Sequence, residues 1–430
     1  MTSSSSEFAD FTAFAAYLDS LGLFHMELGP HRMQAALAAM RLTALPHLAV
    51  QVVGTNGKGS TAAFLAAMLA AHGLPTGLYL SPHFVDVRER ILINGRMLDQ
   101  AVWLAAANAV MDATRGGGEK GRLTYFELLT AMAARLFADQ GAEAAVYEAG
   151  LGGAGDATTA LLRDLVLFTP IGMDHAAIIG PTLADIARDK AGAMVPGGVA
   201  VTGPQPTEVM RILREEADAR GTRLYLADEL AVHDARAREA VLFGPPRLFI
   251  PAARLRLAGP HQSDNAALAL AGFALCAGML GIEPHPDALS RALTETFLPG
   301  RLHLLKLPDR AGGLLLDCAH NPPAMTALTE ALAALNVTPA ALIFTCLKDK
   351  DLAALAPMAA KLTAGPIYVP ELPGVSRARP ASEVVAALGE RAVAVADPAA
   401  ALDAVRNVQG TTLACGSMYL LAALFPPAGN

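Results

Sequence analysis

The sequence has few cysteines, and those few show no pattern. Cys276, Cys318, Cys346 and Cys415 are scattered through apolar runs, and no two of them have C-x-x-C spacing. Disulfide frameworks and cysteine metal sites depend on such spacing. We therefore expect these residues to pack as small apolar side chains in a reducing compartment.

An excess of positive charge is also missing. The chain has 33 Lys and Arg against 40 Asp and Glu, so its formal net charge is −7. A large nucleic-acid surface needs clustered cations, so nucleic acid is not an expected partner, whereas a small anionic ligand needs only a local positive site. Residues 1–10 contain neither a basic segment nor an apolar one, so we expect no secretory signal and a cytoplasmic protein.

Apolar residues are abundant, and they suggest two domains. With 430 residues, of which 53% are hydrophobic, the chain is too long for one ordinary core and can fill two. Residues 266–282 form an uncharged run almost long enough to cross a bilayer. Because the run is rich in Ala and Gly and follows a polar stretch, we predict a buried helix and no membrane partner.

Strand-like runs alternate with helical patterns along the chain, which predicts an α/β fold. A strand over 48–53, a helix over 61–72 and a strand over 76–80 form one βαβ unit, and buried strands are predicted at 144–149 and 165–170. A Pro-Gly pair at 299–300 marks a linker. A second series follows it, with strands predicted at 313–317, 340–345, 366–370, 392–396 and 412–416.

The loop after the first strand, residues 52–61 (VVGTNGKGST), resembles a phosphate-binding loop but lacks the full G-x-x-x-x-G-K-[ST] spacing. Backbone N–H groups at a helix N-terminus form an anion cradle. Lys58 would then reach the outer phosphates, and Ser60 or Thr61 would offer a hydroxyl to Mg²⁺. The alternative is a glycine-rich turn without a ligand.

Two later loops carry polar residues at strand ends, where ligands bind in open α/β sheets. Glu148 ends one strand and would suit Mg²⁺, although a lone Glu there is usually only solvated. Asp174 and His175 follow the next strand, and either could have only a structural role.

The segment 182–192 predicts a helix with a capping box formed by Thr182 and Asp185. Lys190 then lies in the last turn, near Arg188. The simplest interpretation is that these cations complement the helix C-terminus.

Taken together, the motifs occur in an order that resembles the folylpolyglutamate synthase and dihydrofolate synthase enzymes of the Mur ligase superfamily. Each motif is weak alone, but the ordered set covers nearly the whole chain. The superfamily's shorter loop, G-x-x-G-K-x-[ST], fits Gly54, Gly57, Lys58 and Ser60. The motifs are GTNGKGS (54–60), LSPH (80–83), RERILING (88–95), TYFELLTAMA (124–133), EAGLGG-x-x-DAT (148–158), GMDH (172–175), DKAG (189–192), GPHQ-x-x-NAALA (259–269), LPGRL (298–302), D-x-AHNP (317–322) and CGSMYL (415–420).

This resemblance implies an N-terminal P-loop NTPase-like ATP-binding domain with a pterin or folate site, at 1–296, and a C-terminal Rossmann-like glutamate-ligase domain, at 297–430. It implies an ATP-dependent ligase that joins L-glutamate to dihydropteroate, to folate tails, or to both, through an acyl phosphate. The expected ligands are ATP, Mg²⁺ (two ions) and these small substrates, and a monomer is expected.

The resemblance also implies roles for individual residues. Lys58, Lys190, His175 and His320 would be catalytic, and Lys190 would be carbamylated. His320 and Asn321 would lie on the glutamate side. Metal ligands would be Ser60, Ser81, Glu148, His175 and Lys190. Nucleotide contacts would come from Gly54, Thr55, Asn56, Gly57, Lys58, Gly59, Ser60, Thr61, Gln262, Asn265, Arg301 and Asp317.

The chain departs from the family pattern at two positions. The family usually has Arg after GLGG and Asn after DAT, where this chain has Ala154 and Thr159. We therefore expect a contact near the pterin to be lost or supplied by another residue, and the choice between the two activities stays open. Two other interpretations also stay open. One is a Mur-type ligase acting on a peptidoglycan nucleotide, which normally has an additional N-terminal nucleotide-binding domain; about 50 residues precede Gly54, too few for such a domain. The other is a non-catalytic P-loop regulator.

Overall fold

A computed structural model describes residues 7–22, 29–118, 121–243, 247–251, 253–306 and 312–425, with only the backbone at Ala177. Residues 1–6, which contribute to the expected lack of a secretory signal, lie outside the described residues. The chain divides into two compact units. The first comprises Met1–Ile171, Pro181–Arg254 and Asp264–Glu295, and the second comprises Gly172–Gly180, Leu255–Ser263 and Thr296–Asn430.

This division differs from the predicted domains in two short segments. Residues 172–180 and 255–263, which the sequence placed with the first domain, group with the second unit, whose long segment begins at Thr296. The reason is that these two segments pack with residues of the second unit, although their neighbours in the chain belong to the first. The functions given to the two domains stay predictions.

The first unit contains an eight-stranded sheet in the order β4-β3-β2-β5-β1-β6-β7-β8. Strands β2, β5, β1, β6, β7 and β8 pair in parallel, while β3 and β4 form an antiparallel edge. Val146 and Tyr147 are both buried on opposite faces of β5, as expected for a parallel sheet covered on both sides. The strands are β1 (Leu48–Val53), β2 (Thr76–Tyr79), β3 (Ile91–Ile93), β4 (Arg96–Met97), β5 (Ala144–Glu148), β6 (Leu165–Phe168), β7 (Val199–Thr202) and β8 (Arg223–Leu226).

Helices of the first unit cover this sheet, with α3 packed on β1, β2 and β5 and with α11 packed on α3. A small antiparallel sheet of β9 (Ala231–Asp234), β10 (Glu239–Leu242) and β11 (Leu248–Ile250) follows β8. The helices are α1 (Phe11–Ser20), α2 (His31–Ala39), α3 (Lys58–Ala71), α4 (Gln100–Thr114), α5 (Tyr125–Asp139), α7 (Leu183–Ala191), α8 (Thr207–Arg220), α9 (Ala227–Leu230), α10 (His261–Leu280, whose first residues belong to the second unit) and α11 (Pro286–Glu295).

The second unit contains a six-stranded sheet in the order β12-β13-β17-β14-β15-β16, parallel except at β12. Its core includes Leu342, Phe344, Ile367 and Leu413. The elements are α6 (Ala176–Ile179), β12 (His303–Leu305), β13 (Leu314–Leu316), α12 (Pro322–Ala334), β14 (Ala341–Phe344), α13 (Leu352–Lys361), β15 (Ile367–Pro370), α14 (Ala381–Leu388), β16 (Ala392–Val395), α15 (Pro398–Ala404), β17 (Thr412–Cys415) and α16 (Met418–Leu424).

All nine predicted strands are confirmed within two residues at each end. The predicted start of α3 at Thr61 is wrong, because the helix begins at Lys58. Gly57, with a left-handed φ of 87°, ends the loop immediately before it. The short strands β3, β4, β9 to β12 and the parallel strands β7 and β8 were not predicted.

The long apolar helix α10 has a mean hydropathy of 1.4 over its most apolar window, and 56% of that window is buried inside the protein. Phe273 is fully buried and lies 4.6 Å from the His72 ring, centroid to centroid. Met279, on the same helix, is 44% exposed. The burial agrees with the prediction of a buried helix.

We expect Phe273→Ala to lower the free energy of unfolding by about 3–5 kcal/mol, because it removes a buried ring and leaves a cavity. Met279→Ala, the control on the same helix, should change it by less than about 0.5 kcal/mol. Urea denaturation followed by circular dichroism measures both. Equal losses in the two variants would contradict an interior position for this face of α10.

Candidate active site

The glycine loop between β1 and α3 has a backbone that only glycine can adopt at two positions. Gly54 has φ +156°, and a Cβ there would lie 1.9 Å from Thr169 Oγ1. Gly57 has φ +87°, and a Cβ there would lie 2.3 Å from Asn265 Oδ1. The predicted nucleotide residue Asn265 therefore does lie against this loop, within the first unit.

The N-terminus of α3 follows this loop directly, so its first turn of N–H groups points out of the helix end. The loop is held in place by the Thr55 N–H, which donates to Pro170 O at 3.0 Å. Lys58 Nζ lies over the loop and donates to Thr55 O at 3.2 Å. Ser60 and Thr61 are buried. An anion at this helix end would meet N–H donors, the positive end of the dipole and one ammonium group.

Glu148, at the end of β5, lies beside the same loop. Its side chain is buried, and a Cβ on Gly59 would lie 3.4 Å from its Oε2. The backbone N–H of Ser81 donates to the same oxygen at 2.7 Å. Glu148 thus contacts Ser81 and lies beside the first turn of α3, which contains Ser60; the metal-ligand roles of these residues stay predictions.

Lys190 does not lie free at the end of its helix. The capping box of Thr182 and Asp185 is confirmed, and Lys190 is in the last turn of α7. The side chain is buried, and its Nζ donates to Gly54 O at 2.9 Å. The ammonium group is therefore directed to the glycine loop, which the simple helix-capping interpretation does not predict.

The GLGG loop after β5 packs tightly on this last turn of α7. A Cβ on Gly153 would lie 2.5 Å from Lys190 Cα. The Ala154 N–H donates to Asp189 O at 2.9 Å. The exposed Ala154, one departure from the family pattern, thus keeps a backbone bond to α7.

Thr159, the other departure, ties this loop to the central strand. Its hydroxyl donates to Gly153 O at 2.6 Å and accepts from Gln51 Nε2 at 2.8 Å. Sequence reasoning missed Gln51, although a lone polar residue inside an apolar strand is a detectable signal.

The second unit has its own polar cluster, centred on Asp174. Lys350 Nζ donates to Asp174 Oδ1 at 2.6 Å, and Asn321 Nδ2 donates to Oδ2 at 2.9 Å. His175 Nε2 and His320 Nε2 lie 3.8 and 4.0 Å from Oδ2. Burial opposes ionisation of Asp174, but the Lys350 charge, with the two imidazoles, outweighs it and holds the pKa of this carboxyl well below its usual range.

His320 is neutral near pH 7, because burial together with the Lys350 charge lowers its pKa to about 4. Its Nδ1 lies 2.7 Å from Cys318 O, which can only accept, so Nδ1 carries the proton and Nε2 keeps its lone pair. Lys350 was missed by sequence reasoning. The signal was available, since Lys350 lies in the loop after the predicted strand 340–345, as Asp174 lies in the loop after the predicted strand 165–170.

The remaining predicted residues lie in the second unit. Arg301 contacts Cys318 Sγ. Asp317 accepts from the backbone N–H groups of Leu302 and Ala319, and burial raises the pKa of its carboxyl. Gln262 Nε2 lies 3.2 Å from His261 Nε2. Their nucleotide contacts stay predictions.

The predicted metal ligands are divided between the units, because His175 belongs to the second and the other four to the first. Among the residues that the structure describes, no group of three or more His, Cys, Asp or Glu is placed to hold a metal ion. The predicted set depends instead on hydroxyls, one carboxylate and a modified lysine.

Comparison with known proteins adds to this geometry. A family model described as Mur ligase, glutamate ligase domain, matches residues 300–418. A glycine loop of this form on a parallel sheet, followed in the chain by such a domain, defines a Mur-type ligase.

Individual relatives narrow this class. The Escherichia coli (strain K12) dihydrofolate synthase/folylpolyglutamate synthase is 31% identical over 420 residues, 95% of this chain and 93% of that protein. The solved structure of E. coli FolC in complex with DHPP and ADP has a TM-score of 0.84 and 28% identity, and the match covers 96% of both chains. This chain therefore belongs to the dihydrofolate synthase/folylpolyglutamate synthase family.

One relative is much longer. The probable bifunctional folylpolyglutamate synthase/dihydropteroate synthase of Halobacterium salinarum is 34% identical over 312 residues, 71% of this chain and 37% of that protein. The chain thus spans little more than a third of that relative.

We expect Lys350→Met to destabilise the protein by about 3 kcal/mol, because it leaves the buried Asp174 carboxylate without its cation. The exposed Lys348, whose Nζ donates to Ser376 O, is the matched control, and Lys348→Met should cost less than about 0.5 kcal/mol. Denaturation in urea reports both. In a double-mutant cycle, adding Asp174→Asn to Lys350→Met should restore part of the loss, and independent, additive losses would refute the pairing.

Proposed function

We propose that this protein is an ATP-dependent ligase that joins L-glutamate to a pterin-linked carboxylate, either dihydropteroate or a folate with its glutamate tail. The observation that carries the proposal is the convergence of Glu148 and Lys190 on the glycine loop of the first unit. A glycine-rich turn without a ligand has no need of a buried carboxylate and a buried lysine directed at it.

The chemistry needs little covalent work from the protein. A carboxylate is a poor electrophile, so its oxygen first takes the γ-phosphoryl group of ATP, with ADP leaving. The glutamate amine then attacks the acyl phosphate, phosphate leaves, and an amide bond forms. Positioning and charge neutralisation dominate such reactions. In this account the N-terminus of α3 and Lys58 hold the phosphates, with Gln262, Asn265, Arg301 and Asp317 around the nucleotide.

The residues near the loop fit Mg²⁺. This ion is usually bound through one or two carboxylates together with substrate phosphates and water, rather than by a cage of protein ligands. One buried carboxylate, Glu148, beside Ser60 and Ser81, matches that donor set. His175 and a modified Lys190 would serve a second ion. Bound Mg²⁺ would neutralise charge on the phosphates.

We further propose that Lys190 is carbamylated. The ammonium group first loses one proton. The neutral amine then attacks CO₂, a C–N bond forms as one C–O π bond opens onto oxygen, and a second proton is released, so that a carboxylate replaces the ammonium group. An ordinary lysine, with a pKa near 10.4, rarely offers a neutral amine at pH 7, and burial favours the neutral form. The buried position of Lys190, against Gly54, supports this proposal.

In the second unit we assign the cluster around Asp174 to the glutamate side. The Lys350 ammonium group suits a carboxylate of glutamate, and Asn321 offers an amide. His320 presents a neutral Nε2, which can accept a hydrogen bond from the incoming amine.

The choice of acceptor can be tested directly. ADP release should depend on L-glutamate and should occur with dihydropteroate, with tetrahydrofolate, or with both. ADP release that is independent of glutamate would refute the proposed ligase activity. We also propose a monomeric, cytoplasmic enzyme whose only partners are these small molecules, and sedimentation measures its oligomeric state.

Lys58→Ala should lower kcat for ligation roughly 10²–10³-fold, because one preorganised cation at the transferred phosphoryl group is lost. The fold should persist, since Lys58 is the first residue of α3 and its side chain is not in the core. Lys361→Ala, at the exposed end of α13, is the control and should leave kcat unchanged. Near-normal turnover of Lys58→Ala would rule out the phosphate-loop assignment.

Lys190→Arg separates the carbamate from a simple cation, because arginine keeps the charge but cannot form this adduct. We expect both Lys190→Arg and Lys190→Ala to lose at least about 10²-fold in kcat, and acetate should partly restore the Ala variant. ADP-release assays at several acetate concentrations give the answer. Nearly full turnover of Lys190→Arg would overturn the carbamate proposal.

A further inference from the structure

The C-terminal end of α7 leads into a tight backbone turn, in which the Ala193 N–H donates to Lys190 O at 3.0 Å and the Met194 N–H donates to Ala191 O at 2.9 Å. The last carbonyl groups of a helix have no partner within the helix, and the helix dipole makes that end negative. Lys190, in the last turn, directs its Nζ to Gly54 O on another element. Arg188, in the same turn, is exposed.

Arg163, from the segment before β6, reaches the turn that follows α7. Its Nε and Nη2 donate to Ala193 O at 3.2 and 2.8 Å. Its Nη1 donates to Leu161 O at 2.9 Å and also to Thr159 O. Burial lowers the pKa of this guanidinium to about 10, so it stays charged near pH 7. One planar group thus joins the chain at 159–161 to the turn after Lys190.

The same two segments meet again at the GLGG loop. The Thr159 hydroxyl donates to Gly153 O, and Gly153 leaves no room for a Cβ against Lys190 Cα. A shift of either segment would therefore be passed to the Lys190 backbone, since close-packed backbones cannot absorb it. From this backbone position the side chain of Lys190 reaches Gly54 O.

We propose that Arg163 is a positioning residue for Lys190. It fixes the turn that follows α7 at Ala193, and so holds the backbone from which the Lys190 side chain reaches the glycine loop. Arg163 contacts backbone carbonyls rather than substrate and acts only through Lys190. The expected effect on catalysis rests on the proposed function. The effect of Arg163 on the position of Lys190 does not depend on it.

The experiment compares Arg163→Gln and Arg163→Lys with the matched control Arg188→Gln. The first measurement is the rate at which acetic anhydride acetylates Lys190, followed by peptide mass spectrometry in buffer freed of CO₂ and without substrates. In Arg163→Gln the rate should rise at least about tenfold, because a buried amine reacts through local opening. The acetylation rate of Arg163→Lys should lie between those of the parent protein and Arg163→Gln, since a single ammonium group cannot bridge three carbonyls. The rate of Arg188→Gln should stay within about twofold of that of the parent protein.

The second measurement is ligation in the same variants. We expect kcat to fall at least about tenfold in Arg163→Gln, in step with the acetylation rate, because misplacement by about 1 Å is costly in catalysis. The Michaelis constant for glutamate should stay unchanged, since no contact to that substrate is altered. A purely structural role would lower the unfolding temperature without moving either readout at 25 °C.

Three results would overturn the proposal. One is an acetylation rate in Arg163→Gln within about twofold of the parent; another is an equal rise in Arg188→Gln; the third is faster acetylation with unchanged kcat. If Arg163→Gln does not fold, as judged by circular dichroism, Arg163→Lys decides by the same criteria. If the parent protein shows no ligation, the proposed function fails, while the acetylation rates still decide whether Arg163 positions Lys190.

Discussion

The hydrogen bond from the Lys190 ammonium group to the Gly54 carbonyl is the contact on which the first unit's site depends. It joins the end of α7 to the glycine loop, two elements 136 positions apart in the chain. Because Lys190 is buried, its polar group must have partners, and a displaced loop would leave it without this one. Gly153 allows the close approach of its loop to the Lys190 backbone, and Gly54 allows the glycine loop to pack against Thr169.

The second unit also contains a lysine with little exposure to solvent, and here its partner is a carboxylate. Asp174 and Lys350 are both buried, so each makes the burial of the other tolerable. The Lys350 charge lowers the pKa of Asp174 and keeps that carboxyl ionised, while burial, together with the same charge, lowers the pKa of His320 and keeps its ring neutral near pH 7. Both clusters follow the carboxyl ends of parallel strands, the place where α/β sheets bind ligands. The same physical rule therefore accounts for both candidate sites, although the two sites share no residue.

Sequence patterns predicted the regular elements well and their contacts poorly. Buried parallel strands are short, continuous apolar runs, so the central strands could be located from composition alone. The edge strands β3, β4 and β12 have only two or three residues each and carry no such signal. The start of α3 was predicted three residues late, because the left-handed Gly57 lets the helix begin directly after it. The ordered motifs gave the family, which the comparisons confirm.

The sequence by itself determined the α/β class, the glycine loop, the capping box of α7 and the family, because each is written in residues that are close together or in a fixed order. Only the tertiary structure decided where Lys190 points, that Lys350 pairs with Asp174, and that Arg163 reaches Ala193. Those contacts join residues 136, 176 and 30 positions apart. No local spacing encodes them, since they arise only when folding brings distant segments of the chain together.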